Sequence, residues 1–273
     1  MMNNIVRIGI VGSDGRMGRQ LIKSIIQTPG VLLGAVVVNT CSWLIGHDAG
    51  TLVNHSVLGI PITDKLDAVI NNFDILIDFT SPQGTLTYLP FCKKHHKSMV
   101  IGTTGFNDVE IMLIKNSSQE IPIVYSSNFS IGATLILKVV EKIATVMGER
   151  ADIEIMEAHH RKKVDSPSGT ALAMGEAIAK VLKWDFSRHA VYSKDRVTGP
   201  RLEKTIGFTS IRCGNIIGEH KALFADIDEH IEISHKSLDR SVFAKGAITA
   251  ALWLHTKKTG FFSMIDVLEL QDI

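Results

Sequence analysis

The stretch Ile8-Gly9-Ile-Val-Gly12-Ser-Asp-Gly15-Arg-Met-Gly18 decides the fold. Ile5 to Val11 is a short apolar run ending in glycines, the pattern of a buried parallel strand. From Arg16 onward Met17, Leu21, Ile22, Ile25 and Ile26 recur at helical spacing, until Pro29-Gly30 breaks the helix. A strand that runs through glycines into a helix exposes backbone N–H groups and a positive helix end, which together can bind a pyrophosphate. The spacing is GxxGxxG rather than GxGxxG, so a tight turn without a ligand is the alternative.

The same rhythm continues outward. Val31 to Val38 reads as a second strand and Lys65 to Asn72 as a short helix. Asp74 to Phe79 is a third strand, stopping at Thr80-Ser81-Pro82, and Tyr88 to His95 follows as a helix. Met99 to Ile101 stops at Gly102-Thr103-Thr104-Gly105, and Ile121 to Tyr125 at Ser126-Ser127-Asn128-Phe129. Strand and helix alternating this way predict a Rossmann-type, doubly wound parallel sheet of the α/β class. Ligands of such sheets sit outside the carboxyl ends of the strands. Several strand ends here are small, polar or glycine-rich, which favours a nucleotide crevice over a bare turn.

After residue 130 the pattern changes. Ile131 to Met147 is a long amphipathic helix with Leu135, Val139, Ile143 and Val146 on one stripe. Asp152 to Glu157 alternates as a half-solvated strand, Thr170 to Leu182 is helical, and three more alternating stretches follow at Ile206–Arg212, Gly218–Phe224 and Glu229–Ser234. Their order predicts a second, α+β domain: an open mixed or largely antiparallel sheet with helices on one side. Val242 to Leu254 is helical again.

Composition excludes several classes. The chain has 273 residues, with 29 Lys+Arg against 28 Asp+Glu and a net charge of +1, too balanced for nucleic-acid binding by bulk charge. At 45% apolar and 21% charged it is not a disordered chain. Cys41, Cys92 and Cys213 are too scattered for a disulfide framework or zinc knuckle, and read as reduced, mostly packed thiols. No metal site is expected. The opening residues do not form a signal peptide, and no run reaches 18 apolar residues, so a soluble cytoplasmic protein is the expectation.

The second chemical motif is Glu157-Ala-His159-His160-Arg-Lys-Lys163-Val-Asp165-Ser-Pro-Ser168-Gly169-Thr170, running from a strand end to a helix start. The amides and hydroxyls of Ser168-Gly169-Thr170 suit a carboxylate. His159, His160 and Lys163 add proton donors and positive charge, so a ligand here should be small and anionic. A solvated basic loop is the competing reading. Arg240, just before the last helix, is a further candidate anion partner, or simply a surface residue.

These residues resemble the 4-hydroxy-tetrahydrodipicolinate reductases (formerly dihydrodipicolinate reductases) of the diaminopimelate–lysine pathway, closest to the enterobacterial type. The likeness covers nearly the whole chain. Its markers are Gly12 to Gly18, Asp78 to Pro82, Ile101 to Gly105, Ser126 to Ser130 and above all Glu157 to Ala171. The resemblance implies a nucleotide domain over residues 1–130 and 241–273, and a substrate-binding and tetramerisation domain over 131–240. It implies NADPH or NADH as hydride donor and a cyclic dicarboxylate as acceptor. Carried onto matching positions, His159 is the acid/base residue and Lys163 the proton donor, while His160, Gly169 and Thr170 hold the substrate carboxylates; Ser168 and Arg240 are further candidate substrate contacts. The cofactor lies along Gly12, Ser13, Asp14, Gly15, Arg16 and Met17, then Val38, Asn39, Phe79, Gly102, Thr103, Thr104, Ser126, Ser127, Asn128 and Phe129. One departure stands out: the second strand ends in Val38-Asn39, where the family often has an acid and an Arg to read the ribose and its 2′-phosphate. A homotetramer is expected, with Phe208, Ile211, Leu223 and Phe224 supplying apolar surface between subunits. A catalytically silent nucleotide-binding regulator, or another NAD(P)-dependent dehydrogenase on the same fold, is the rival class; the first need not keep His159 and Lys163, and the second would normally want a reactive Cys or another acid/base set.

Overall fold

In a computed structural model, which describes residues 5–192 and 199–273, the chain forms two compact units. The first takes in Met1–Ser130 and Arg240–Glu269, the second Ile131–Asp239 and Leu270–Ile273. The chain begins with β1 (Val6–Val11), α1 (Arg16–Gln27), β2 (Val31–Val37), β3 (Ile62–Thr63), β4 (Ile75–Asp78), α2 (Pro82–Lys94), β5 (Ser98–Ile101), α3 (Asp108–Ser117) and β6 (Pro122–Tyr125). The second unit contributes α4 (Ile131–Met147), β7 (Asp152–His159), α5 (Gly169–Leu182), α6 (Phe186–His189), β8 (Ala190–Tyr192), β9 (Ile206–Arg212), β10 (Gly218–Ala225) and β11 (His230–Ser237). The first unit is completed by α7 (Ser241–Leu254), β12 (Gly260–Phe262) and α8 (Met264–Val267).

In the first unit seven parallel strands lie in the order β12-β6-β5-β4-β1-β2-β3. The order runs outward in both directions from β1 and β4, so the switch point lies between their carboxyl ends, at Gly12 and Phe79-Thr80. Burial on both faces explains the unbroken apolar runs: every residue of β4 is buried. α1 buries Leu21, Ile22 and Ile25, as its spacing predicts. α2 starts six residues before the predicted Tyr88, because Ser81 caps it by accepting the Gly84 amide at 3.2 Å and Pro82 fits its first turn. The 3₁₀ turn Asp67–Asn72 stands where a short helix is predicted. The short strands β3, β8 and β12 carry too few residues to show a period.

In the second unit α4 and α5 pack on one face of a five-stranded sheet ordered β11-β10-β7-β9-β8. β7–β10 and β10–β11 are antiparallel, but β7–β9 and β8–β9 are parallel, so the sheet is mixed rather than largely antiparallel. The stripe predicted for α4 is rotated from the real one. Ala133, Ile136, Val140, Ala144 and Met147 are buried, whereas Leu135 and Val146 are 42% and 73% exposed. α4 carries apolar residues over well more than half of its circumference, so periodicity alone does not choose which of these rows is buried. Phe208 and Phe224 are likewise not interface residues, since both lie in the core under the helices. The opposite, open face carries Met156, Ile211 and Leu223 between the ion pairs Lys221–Glu232 (3.0 Å) and Lys236–Glu219 (3.1 Å).

Of the cysteines only Cys92 is packed; Cys41 and Cys213 are exposed free thiols. Among the described residues no helix is long and apolar enough to cross a membrane. The first unit is closed by α7, whose Gly246 meets the chain leaving β6: a Cβ there would lie 1.7 Å from the Phe129 carbonyl oxygen. Gly246→Ala should therefore force the helix outward and destabilise the protein by about 1–3 kcal/mol, read as a lower urea midpoint.

Candidate nucleotide and dicarboxylate sites

The glycine loop is shaped by backbone approach. Gly12 has φ +67°, and a Cβ on it would lie 2.7 Å from Thr80 Cγ2, so the β1 and β4 loops touch where the sheet order reverses. A Cβ on Gly18 would lie 2.4 Å from Ser13 Cα, so only glycine lets α1 close on the loop. α1 starts from Gly15 with no side-chain bond to its first amides and no acid in its first turn, whereas α2, α3 and α5 are capped by Ser81, Asn107 and Ser168. Free amides at a positive helix end fit a pyrophosphate. Asp14, Gly15 and Arg16 are exposed there, and Met17 packs partly on the core. Ser13 is buried, its hydroxyl donating to the Ile10 and Val37 carbonyls, both at 3.1 Å, so its side chain braces the loop.

The neighbouring strand ends are tied by a residue that motif reading passes over. Asp78 is fully buried at the end of β4. Its Oδ1 accepts the Thr80 hydroxyl (2.6 Å), the Thr80 amide (2.9 Å) and the Thr103 hydroxyl (3.2 Å). Burial raises its pKa despite these donors. Phe79 stacks edge-on to Phe129 at 5.4 Å and fills the space a Cβ on Gly102 would need. Phe129 and Thr103 are themselves buried, leaving Thr104 and Ser127 exposed and Gly102, Ser126 and Asn128 half-buried. Val38 is only 2% exposed and belongs to the core, while Asn39 is exposed.

The second unit gathers a buried polar cluster at the end of β7. Period two places Glu157 and His159 on the helix-covered face, with Ile153 and Ile155. Glu157 Oε2 accepts His159 Nδ1–H at 2.6 Å and Arg212 Nη1–H at 2.8 Å, and Oε1 accepts Arg212 Nη2–H at 2.6 Å and the Ser168 amide at 3.2 Å. Burial pushes the Glu157 carboxyl up, but the donors, Arg212 foremost, outweigh it and hold it below the usual range. An ionised Glu157 fixes the proton of neutral His159 on Nδ1, leaving the Nε2 lone pair free. Gly218 keeps that nitrogen open, since a Cβ there would lie 3.1 Å away. Burial lowers the His159 pKa, with Lys163 and Arg212 adding to it against Glu157.

Lys163 pairs with Asp165 at 2.8 Å, and its amide donates to the His160 carbonyl at 3.0 Å, which folds the basic loop back on itself. Ser168 is buried and caps α5, leaving Gly169 exposed and His160 and Thr170 half-buried. The structure thus brings His159, His160, Lys163, Ser168, Gly169 and Thr170 into one unit. Arg240 belongs to the other unit, as the cap of α7. Sequence reading missed the roles of Glu157, Arg212 and His220; Glu157 had one signal, its place two residues before His159.

His220 lies against this network with its pKa lowered to about 4, chiefly by burial and next by His159. An unfolded His titrates near 6.5. Between those values the unfolded chain binds more protons, so stability falls as pH drops through this window. At pH 5, where carboxylates are still ionised, His220 alone should cost about 2 kcal/mol relative to pH 7.5. Urea titrations at both values should differ by that much less in His220→Gln.

Two family models match the chain: dihydrodipicolinate reductase, N-terminus, over residues 6–129, and dihydrodipicolinate reductase, C-terminus, over residues 132–268. Among solved structures, a dipicolinate-bound dihydrodipicolinate reductase from Paenisporosarcina sp. TG-14 superposes with a TM-score of 0.76 at 24% identity, covering 96% of this chain and 98% of that one. An amine dehydrogenase from Mycobacterium smegmatis shares the fold at TM-score 0.62 and 10% identity, over 95% of both chains. A probable dehydrogenase from Thermotoga maritima gives 0.61 at 9% identity, over 97% of this chain and 93% of that one. With both halves of the family matched, the chain belongs to the dihydrodipicolinate reductases, NAD(P)H-dependent oxidoreductases of lysine and diaminopimelate biosynthesis.

Proposed function

We propose that His159 and Lys163 carry the proton chemistry of this reductase and that the start of α5 holds the substrate carboxylates. The reaction is the NAD(P)H-dependent reduction of 4-hydroxy-tetrahydrodipicolinate to tetrahydrodipicolinate. The observation that carries the assignment is the Arg212–Glu157–His159 chain of hydrogen bonds ending one residue before His160. The nicotinamide supplies a hydride when bound. His160, Ser168 and the Gly169 and Thr170 amides orient the dicarboxylate, and the Lys163 ammonium offsets its charge. That the Paenisporosarcina reductase holds dipicolinate, a dicarboxylate, supports this ligand class.

Loss of the 4-hydroxyl as water requires a base to take a ring proton and an acid to protonate the departing oxygen. Neutral His159 offers Nε2 for the first role and, once protonated, serves the second. Reduction leaves an electron pair on the ring system, and Lys163 gives the proton that quenches it. Acid–base groups of this kind contribute about 10²–10⁴-fold. His159→Gln and Lys163→Ala should each fold and lose turnover by that range, measured as NAD(P)H absorbance with substrate formed in situ from aspartate semialdehyde and pyruvate. Near-native turnover in either variant refutes the assignment.

For the cofactor we propose the first unit's loops from Gly12 to Met17, Gly102 to Thr104 and Ser126 to Phe129. With no acid after β2, both NADH and NADPH are used, tilted towards NADPH. Because Val38 is in the core, a carboxylate there would be buried, so exposed Asn39 is the position to vary. Asn39→Arg should raise kcat/KM for NADPH relative to NADH; an unmoved ratio would mean that the 2′-phosphate is read elsewhere. The open face of the second unit's sheet, with Ile211 half exposed, supports assembly into a homotetramer, and the pathway a cytoplasmic location.

A further inference from the structure

We infer that His220 makes the Ser168 hydroxyl an obligate hydrogen-bond donor to the substrate, and so acts as a positioning residue for the dicarboxylate. The inference rests on the start of α5 being the dicarboxylate seat. His220 enters from β10, facing α5, and is 6% exposed. Its Nε2 lies 3.0 Å from Ser168 Oγ, while its Nδ1 is buried without a hydrogen-bond partner among the described residues. Ser168 Oγ also accepts the Ala171 amide at 3.3 Å, as the cap of α5.

These contacts choose the tautomer. With the proton on Nδ1, a buried N–H would be orphaned, and Ser168 would donate its one proton to Nε2. With the proton on Nε2, only an acceptor lone pair is left unmet. Orphaned buried donors are the rarer case, so the Nε2–H form is preferred. The ring stays neutral near pH 7 because burial holds its pKa at about 4. The rings of His159, 5.1 Å away edge-on, and His235, 6.5 Å away and stacked, flank it. Ser168 Oγ then accepts from both His220 and Ala171, which uses its acceptor sites. Its own proton is left to point at a ligand, and a hydroxyl in that state can meet only an acceptor such as a carboxylate oxygen.

The test is calorimetric titration of the full chain with dipicolinate, alongside thermal melting of each variant at pH 7.5. A hydrogen bond to a charged group corresponds to about a ten- to hundredfold change in affinity, so Ser168→Ala should weaken dipicolinate by that factor. His220→Leu, which frees the hydroxyl to turn, should weaken it less. His220→Gln, which keeps a donor at this reach, should restore much of the loss. The double variant Ser168→Ala/His220→Leu should bind no worse than Ser168→Ala alone, and each change should raise KM more than it lowers kcat. Additive losses, or an unaffected His220→Leu, would overturn the inference while leaving the dicarboxylate site intact. Wild type that does not take up dipicolinate would overturn the reading beneath it as well. Should His220→Leu fail to fold, long-range ¹H–¹⁵N spectra of histidine-labelled wild type still decide: Nε2–H supports the inference and Nδ1–H defeats it.

Discussion

The buried carboxylate of Glu157 is the constraint on which the second unit depends. An ionised carboxylate 2% exposed is tolerated only where bonds replace its water, and here they come from three segments. Arg212 at the end of β9 supplies the fork, Ser168 at the start of α5 an amide, and His159 of β7 its ring. Arg212 also donates to the Asp165 carbonyl at 2.7 Å, so one guanidinium fixes both the carboxylate and the loop between β7 and α5. Breaking such a buried set by removing one partner typically costs about 3–5 kcal/mol. Structure and function are therefore hard to separate here: the groups that stabilise the strand ends also aim the histidine.

The first unit solves a different problem by different means. A pyrophosphate calls for bare amides, so side chains are kept away from the loop rather than gathered around it. Gly12 and Gly18 allow contacts that no Cβ would survive, and Ser13 turns its hydroxyl inward to Ile10 and Val37. Asp78 holds the adjacent strand ends from below through Thr80 and Thr103. Its role parallels that of Glu157, a buried acid organising loops at the carboxyl ends of strands. The difference is that Asp78 meets neutral hydroxyls and an amide, and so is pushed towards its protonated form, whereas Glu157 meets Arg212 and stays charged.

Much of this is legible in the sequence. The strand-to-helix rhythm gave the parallel sheet, because strands buried on both faces leave long apolar runs that stop abruptly at glycine or serine. The Glu157–Ala171 string carried the family, since its residue types sit at fixed offsets in one segment. What stayed hidden depended on partners distant in sequence. Arg212 lies 55 residues from Glu157, and His220 lies 52 from Ser168; nothing local marks either as different from a surface cation or a core histidine. The buried face of α4 was hidden for another reason: with Leu135, Ile136, Leu137, Val139 and Val140 adjacent, only the sheet beneath decides which row turns inward. Phe208 and Phe224 alternate correctly, but alternation does not say which face the helices cover.

The register of the second sheet explains how a single strand serves both core and chemistry. Along β7 the inward residues Ile153, Ile155 and Glu157 pair with Phe224, Ala222 and His220 of β10, while Ile153, Ile155 and His159 pair with Ile206, Phe208 and Arg212 of β9. The interior thus passes within a few residues from aliphatic and aromatic packing to a connected polar set, without changing face. A one-residue slip of β7 would turn Glu157 and His159 to the open face and bring Met156 and Ala158 inward. It would also strand Arg212 and His220 without their partners. The apolar end of the strand resists that slip by hydrophobic burial and the polar end by ion pairing and hydrogen bonding. Both ends therefore specify the same register, and that agreement holds the Glu157 carboxylate between Nδ1 of His159 and the first amide at the start of α5.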